Sequence, residues 1–379
     1  MFNILRDAFS YEINSIKNSW YKLSLITVLP LVSFALIIAI FSDGVVRDMP
    51  MVVVDKDKSK LSRILLTNIN SSPTIEISQM SNSVKDALDL LKTGAAYGII
   101  IVPKNFSKDT LLQIQPKVTV MLNTQFILIG KILTSALTST IMYSSAEVEY
   151  VESLVDMQNP HSAMKSISPI GMQITPFFNT YQNYFYFLVS ALIPSIWQIF
   201  IVIATLVSVG KMFKYKKEME FFKDSSNISL KLLGLMLPYT LTYSLLGLVY
   251  LMYMYSSWEF AGSFAILVFG MFLTVISYQL IALFLFVTGF DYARSLSLGA
   301  VYTAPAFAFL GVTFPVFNMN SIAIFWRDML PISHYVELQI SQANYGSDIF
   351  METNKLLAIL AFWILIIPVV YMFKKRLSR

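Results

Sequence analysis

The chain has no cysteine, two histidines (His161 and His334) and little charge, since Asp, Glu, Lys and Arg make up 13% of its 379 residues. Without cysteine there is no disulfide framework, no thiolate metal site and no thiol nucleophile. Two histidines cannot form a histidine-rich metal cluster. Soluble domains carry about 25% charged residues, so roughly half the usual charge is missing. This excludes an ordinary cytosolic enzyme, a disordered tail and a basic nucleic-acid binder.

Apolar residues take the place of the missing charge, at 56% of the chain and a mean hydropathy of +0.62. A membrane span needs about 20 predominantly apolar residues, and six segments supply them: 23–41, 184–209, 230–253, 263–287, 296–314 and 356–373. The first has long flanks, and Phe41-Ser42-Asp43-Gly44 offers no small-x-small cleavage site, so it reads as an anchor rather than a signal peptide. A seventh apolar run, 125–141, carries Lys131 and several hydroxyl or amide side chains, and counting it as a span would put the basic loop 211–223 outside. It reads as a long helix outside the membrane.

Lysine and arginine placement sets the orientation. Arg6, Lys17, Lys22, the lysines of 211–231, Arg294 and the cluster Lys374, Lys375, Arg376 and Arg379 all fall on one set of connections, opposed by few carboxylates. The short opposite connections hold Arg327 and Lys355 against Glu259, Asp328, Glu337, Asp348 and Glu352. The balance places both termini in the cytoplasm and 42–182 outside. The sequence therefore predicts an α-helical polytopic membrane protein with six transmembrane helices and an inserted extracytoplasmic α/β domain.

Within 1–22, Phe2, Leu5, Phe9, Ile13, Ile16 and Trp20 recur at helical spacing, with Arg6, Asp7, Glu12 and Lys17 elsewhere on the helix. That pattern suits an amphipathic helix lying in the membrane interface. The inserted domain, at 44–176, alternates strands (51–55, 74–78, 97–102, 118–122) with helices capped by Ser59 and Ser83. Short βα units imply right-handed crossovers and a mostly parallel sheet, closed by the long helix and a return segment at 170–178.

Catalytic motifs are scarce in the sequence. Asp55-Lys56-Asp57 ends a buried strand, where an Asp-x-Asp could hold a divalent ion in a nucleotide-sugar transferase. An outward-facing site has no such substrate, and strand-end capping is the better reading. Ser333-His334 lacks a Gly-x-Ser-x-Gly turn, and His161 with nearby Asp156 lacks motif context. No phosphate-binding loop is present; Gly130-Lys131 and Gly210-Lys211 lack its other elements. The spans hold hydroxyls and amides (Thr27, Gln198, Thr240, Thr274, Gln279, Thr303) but no ionisable group well inside, unlike ion-coupled carriers.

Several strings, in order, resemble the type-2 ABC exporter permeases, in the subgroup with a large extracytoplasmic domain between the first two spans. Val53-Val54-Asp55-Lys56-Asp57-Lys58-Ser59 is similar to the opening of that domain, and Tyr97 to Val102 followed by Pro103-Lys104-Asn105-Phe106 to its strand and Pro-x-x-Phe. Asn179 and Asn183-Tyr184 precede the second span. Gly234 with Leu237-Pro238-Tyr239 resembles the start of the third. Gly311, Phe314, Pro315, Met319 and Pro331 resemble an extracytoplasmic re-entrant hairpin at 315–342. After the second span, Lys216-Lys217-Glu218-Met219-Glu220-Phe221-Phe222 keeps the family's Met-Glu-aromatic part but lacks its Gly-Thr.

The resemblance implies an exporter subunit of the bacterial inner membrane, paired with a separate ABC ATPase that binds ATP and Mg, and with a second permease copy or paralogue. The chain itself would bind no cofactor and no metal. A periplasmic adaptor protein and membrane lipid are further expected partners. Segment 211–229 is then the coupling loop to the ATPase, with Met219, Phe221 and Phe222 as apolar anchors for a partner groove. Two other readings remain at this point: an anchored sensor or assembly factor that moves nothing, and Phe221 and Phe222 as interfacial membrane anchors.

Overall fold

The computed structural model describes residues 2–112, 114–125, 127–157, 178–179, 183–222, 227–256 and 260–378. The return segment at 170–178, apart from Phe178, and His161 lie outside the described residues. The chain divides into two compact units, one comprising Met1–Gly44 with Pro176–Arg379 and the other Val45–Thr175.

The helical unit opens with α1 (Phe2–Lys17), α2 (Trp20–Ile26) and α3 (Val28–Ile40), the last two forming one apolar run. A single π-helical turn, Phe185–Val189, leads into α8 (Ser190–Lys214), and α9 (Glu218–Phe221), α10 (Ile228–Met254) and α11 (Phe264–Val287) follow. Next come α12 (Tyr292–Thr303), α13 (Ala306–Phe309), α14 (Ser321–Asp328) and α15 (Pro331–Ile340). The last long run is α16 (Ile349–Ala361) and α17 (Ile366–Leu377), joined by the 3-10 turn Phe362–Leu365. Labels α4 to α7 belong to the inserted unit.

Five runs among the described residues are long and apolar enough to span: Trp20–Ile40, Phe185–Lys214, Ile228–Met254, Phe264–Val287 and Ile349–Leu377. The stretch 296–314, expected as a further span, is not among these five. It is not one helix but α12 and α13, broken at Ala304-Pro305. Proline removes an N–H and crowds the carbonyl four residues earlier, so the helix ends before it. The side-chain amide of Gln198 donates to the carbonyl of Thr303, next to the break, at 3.3 Å.

Where the backbone polar groups of α8 are freed, other side chains reach them, as a hydrocarbon environment demands. Pro194 cannot donate to Ser190 O; instead Gln339 Nε2 of α15 donates to it at 2.9 Å. The Trp197 indole donates to Tyr243 O at 3.2 Å. Thr240 Oγ1 donates to Gln279 Oε1 at 2.9 Å, joining α10 to α11. Trp197, Met236 and Met254 are core residues, and Met252 is exposed.

In the second unit, β1 (Met49–Asp55), α4 (Lys60–Asn70), β2 (Ile75–Met80), α5 (Val84–Lys92), β3 (Gly98–Val102), α6 (Phe106–Leu111), β4 (Thr119–Leu122) and α7 (Ile127–Met157) follow in order. The sheet order is β2-β1-β3-β4; β1 pairs in parallel with β2 and β3, and β4 closes antiparallel to β3. The sheet is therefore mixed. Strand β1 is buried on both faces. Met49, Met51 and Val53 pack on α4 and α7 through Leu65, Leu66, Ile69, Leu133 and Leu137, while Val52 and Val54 pack on Ala87 of α5. The apolar side chains Leu133, Leu137 and Ile141 of the 125–141 run are thus spent on the sheet core. Ser59 and Ser83 cap α4 and α5 as their hydroxyls accept from Ser62 N and Lys85 N.

Candidate functional site

At the basic end of the spans, α1 lies against the start of α10. A Cβ on Gly234 would come within 2.7 Å of both Ala8 Cβ and Leu5 O, so the contact needs a glycine there. The apolar face expected from the spacing is only partly the packing face: Phe2 and Trp20 are 76% and 81% exposed, whereas Ala8, Glu12 and Ile16 are buried. Glu12, which the spacing sets apart from the apolar face, is buried all the same. Glu12 is 1% exposed; its carboxylate accepts from Lys22 Nζ at 2.7 Å and from the Tyr239 hydroxyl at 2.5 Å, and Lys22 also donates to Ser15 Oγ at 2.8 Å. A buried charge persists only when paired and hydrogen-bonded. Here one carboxylate ties α1, α2 and α10 together.

The segment 216–222 sits beside this network. Lys216 adopts φ +56°, the left-handed region, which reverses the chain after α8. Lys217 N donates to Met212 O at 3.0 Å, and α9 follows. Lys231 Nζ donates to Phe221 O at 2.9 Å, a cation satisfying a carbonyl at the short helix's C-terminus. Phe221 stacks on Tyr11 of α1 at 4.8 Å between centroids and on Phe222 at 4.9 Å. Burial, with Glu12 and Glu220 nearby, raises the Tyr11 phenol above its ordinary value.

Phe222 corrects the expectation of two exposed aromatic anchors. It is 2% exposed and packs on Phe373 at 5.6 Å. Phe373 in turn meets Phe213, Phe286 and Phe290. One aromatic cluster therefore joins the ends of α8, α11 and α17 to α9. Aromatic pairs at such distances add about 0.5–1.5 kcal/mol each beyond area burial. What this segment presents outward is Met219, 59% exposed, with Lys216, Lys217 and Glu220 also exposed and Glu218 half-buried. Between it and α1 lies a cavity of about 580 Å³ lined by Ile4, Asp7, Tyr11, Lys217, Glu220 and Lys231.

Near the opposite ends of the spans, the residues singled out for a hairpin do come together as a helix–turn–helix. Gly311 turns the chain at φ +84°, where a Cβ would meet Val316 at 2.4 Å. Pro315 opens a 3-10 turn, Met319 is half-buried, Asn320 caps α14 by accepting from Ala323 N, and Pro331 starts α15. Phe314 is exposed. Arg327 Nη2 donates to Glu337 at 2.5 Å, bridging the two helices. Ile332 N donates to the Tyr278 hydroxyl at 3.2 Å, and with Gln339 this docks α15 on α11 and α8.

The other candidates become structural. Ser333 is buried, while His334 Nε2 lies 3.2 Å from Asp328 O. Asp55 accepts from the amides of Asp57 and Lys58 and from Ser62 Oγ, and Asp57 accepts from Ser107 N at the start of α6. These carboxylates close turns. Among the described residues no group of three metal-ligating side chains converges.

The sequence showed no signal for Glu12–Lys22–Tyr239, since Tyr239 is distant in sequence and the apolar spacing over 1–22 predicts one helix, which the structure instead breaks at Asn18-Ser19. No curated protein matches the chain. A family model described as ABC-2 family transporter protein matches residues 21–372. The chain belongs to that family and is a multi-pass membrane permease of an ABC transporter, a component of transport rather than a catalyst.

Proposed function

With that membership as premise, we propose that this permease is the membrane half of an ATP-driven exporter in the bacterial inner membrane. It moves its substrate out of the cytoplasm or the inner membrane together with a separate ABC ATPase, which carries ATP and Mg, and a second permease copy or paralogue. Both termini and segment 216–222 face the cytoplasm, and the unit Val45–Thr175 faces outside, where a periplasmic adaptor can dock. The broken pair α12–α13, about 18 residues and roughly 27 Å of helix, supplies the sixth crossing and keeps the termini on one side. The hairpin α14–α15 is re-entrant from the outer face.

The aromatic cluster is the observation that carries this reading. A helix that served only to turn the chain would not need its last aromatic buried among the ends of three long helices. Phe222 roots α9 in the body, and Met219 and Glu220 meet the ATPase, so that movement of the ATPase displaces α8, α11 and α17 together. Trp20–Ile40 and Ile349–Leu377, with 28% and 17% of their apolar 18-residue stretch buried within the chain, leave the largest faces for lipid and the second permease.

Purification of the intact complex in mild detergent, followed by identification of its subunits, tests this. An ABC ATPase and a second permease chain are expected. Recovery of a well-folded chain bound only to outside-facing proteins would support the sensor reading instead.

A further inference from the structure

A polar cavity of about 530 Å³ lies where α1 ends, α2 begins and α8 finishes, with Ser15, Tyr21, Lys22, Ser208, Lys211 and Lys217 in its wall. The charged groups facing it are Lys22, Lys211, Lys217 and Glu12. Glu12 is already engaged by Lys22 and Tyr239. No ion pair among the described residues neutralises Lys211 or Lys217. Lys211 Nζ is held 3.3 Å over the Tyr21 ring, at the cavity wall rather than free in solvent. Among the described residues the cavity therefore carries two positive charges with no carboxylate partner, set among hydroxyl donors, the chemistry that recognises a phosphate ester.

Its surroundings narrow the source of that phosphate. Trp20, in the same turn of α2, is 81% exposed, and Leu23 follows at 46%. Along α3, Val28, Leu31, Val32 and Leu36 continue an exposed apolar face. A tryptophan at the foot of an apolar span marks the membrane–water interface, and basic pockets at that depth hold anionic headgroups. We infer that this cavity binds the phosphate headgroup of an anionic phospholipid, whose acyl chains lie along the exposed face of α2 and α3. The inference rests on the membrane spans and holds whichever protein meets Met219. A bound lipid would brace the Glu12 network from outside the chain.

The test uses the full-length chain reconstituted in phosphatidylcholine nanodiscs containing about one-fifth phosphatidylglycerol, with native mass spectrometry reading retained lipid after transfer to detergent. Wild type is expected to retain phosphatidylglycerol over phosphatidylcholine. Lys211→Gln should weaken that preference roughly tenfold, the equivalent of one charge-assisted hydrogen bond. Lys211→Arg should keep it, and Lys214→Gln, which removes a charge outside the cavity wall, should leave it unchanged. Lys217→Gln serves as a second variant should Lys211→Gln fail to fold, and thermal unfolding of each variant monitors that. Equal loss in Lys211→Gln and Lys214→Gln would reduce the site to diffuse surface charge and overturn the inference. Displacement of the lipid by about 10 mM inorganic phosphate would assign the cavity to a free anion instead. Unchanged lipid retention in a folded Lys211→Gln would likewise overturn it.

Discussion

Glu12 loses its only cation if Lys22 is replaced, and a buried carboxylate then has only the Tyr239 hydroxyl to answer it. Breaking one side of a buried pair costs about 3–5 kcal/mol, whereas removing both charges together is far less damaging. Thermal unfolding should therefore rank Lys22→Met well below wild type, with Glu12→Gln/Lys22→Met recovering much of the difference. A double variant as unstable as the single one would show that the pair does not act as a unit. At Gly44 the backbone is at φ +66°, and a Cβ would lie 2.6 Å from Asn183 Oδ1. Asn183 is pinned in turn by Asn179, and its own side chain accepts from Phe185 N. Gly44→Ala should cost about 1–3 kcal/mol of stability, read as a fall in the unfolding midpoint. A midpoint equal to wild type would mean the staple yields freely.

At the scale of elements, α9 separates two roles that the sequence ran together. Phe222→Ala opens a hole in the aromatic cluster, at about 3–5 kcal/mol, and should lower the unfolding temperature. Met219→Glu alters an exposed side chain, should stay within about 0.5 kcal/mol of wild type, and should weaken ATPase recovery. If Phe222→Ala were as stable as wild type and Met219→Glu destabilised, the assignment of root and contact would be reversed. The sequence made the helical spans and the βα alternation legible because lipid and a two-face-buried strand each impose long, repetitive apolar patterns. It could not show which of Met219, Phe221 and Phe222 points inward, because all three are apolar and α9 is a single turn. Nor could it show that an apolar run ends at Pro305, since hydropathy averages over a break that one missing N–H decides. The burial of Glu12 is hidden for the opposite reason: a lone charge in a helical pattern carries no mark of partners that lie far along the chain, as Tyr239 does.

At the scale of the whole molecule, the chain divides at Gly44/Val45 and Thr175/Pro176 into two compact units. Within the helical unit, positions 44 and 183 meet through the Gly44–Asn183 contact, and Tyr184 N donates to Gly44 O. A fragment spanning Val45–Thr175 should therefore unfold cooperatively by itself, as followed by circular dichroism against denaturant. A gradual, sloping loss of signal would show that the unit needs the rest of the chain.

The central claim is that 216–222 carries the ATPase's motion into the spans, and the natural absence of cysteine makes it directly measurable. Single cysteines at Met219→Cys, Phe222→Cys and Lys92→Cys, in cells expressing the whole transporter, can be tested by cross-linking to cysteines on the ATPase surface. The account predicts a cross-linked permease–ATPase band for Met219→Cys that changes in yield between nucleotide-free and ATP-bound states, and none for buried Phe222→Cys or outside-facing Lys92→Cys. Cross-linking at Lys92→Cys, or its absence at Met219→Cys in an assembled and active complex, would contradict it.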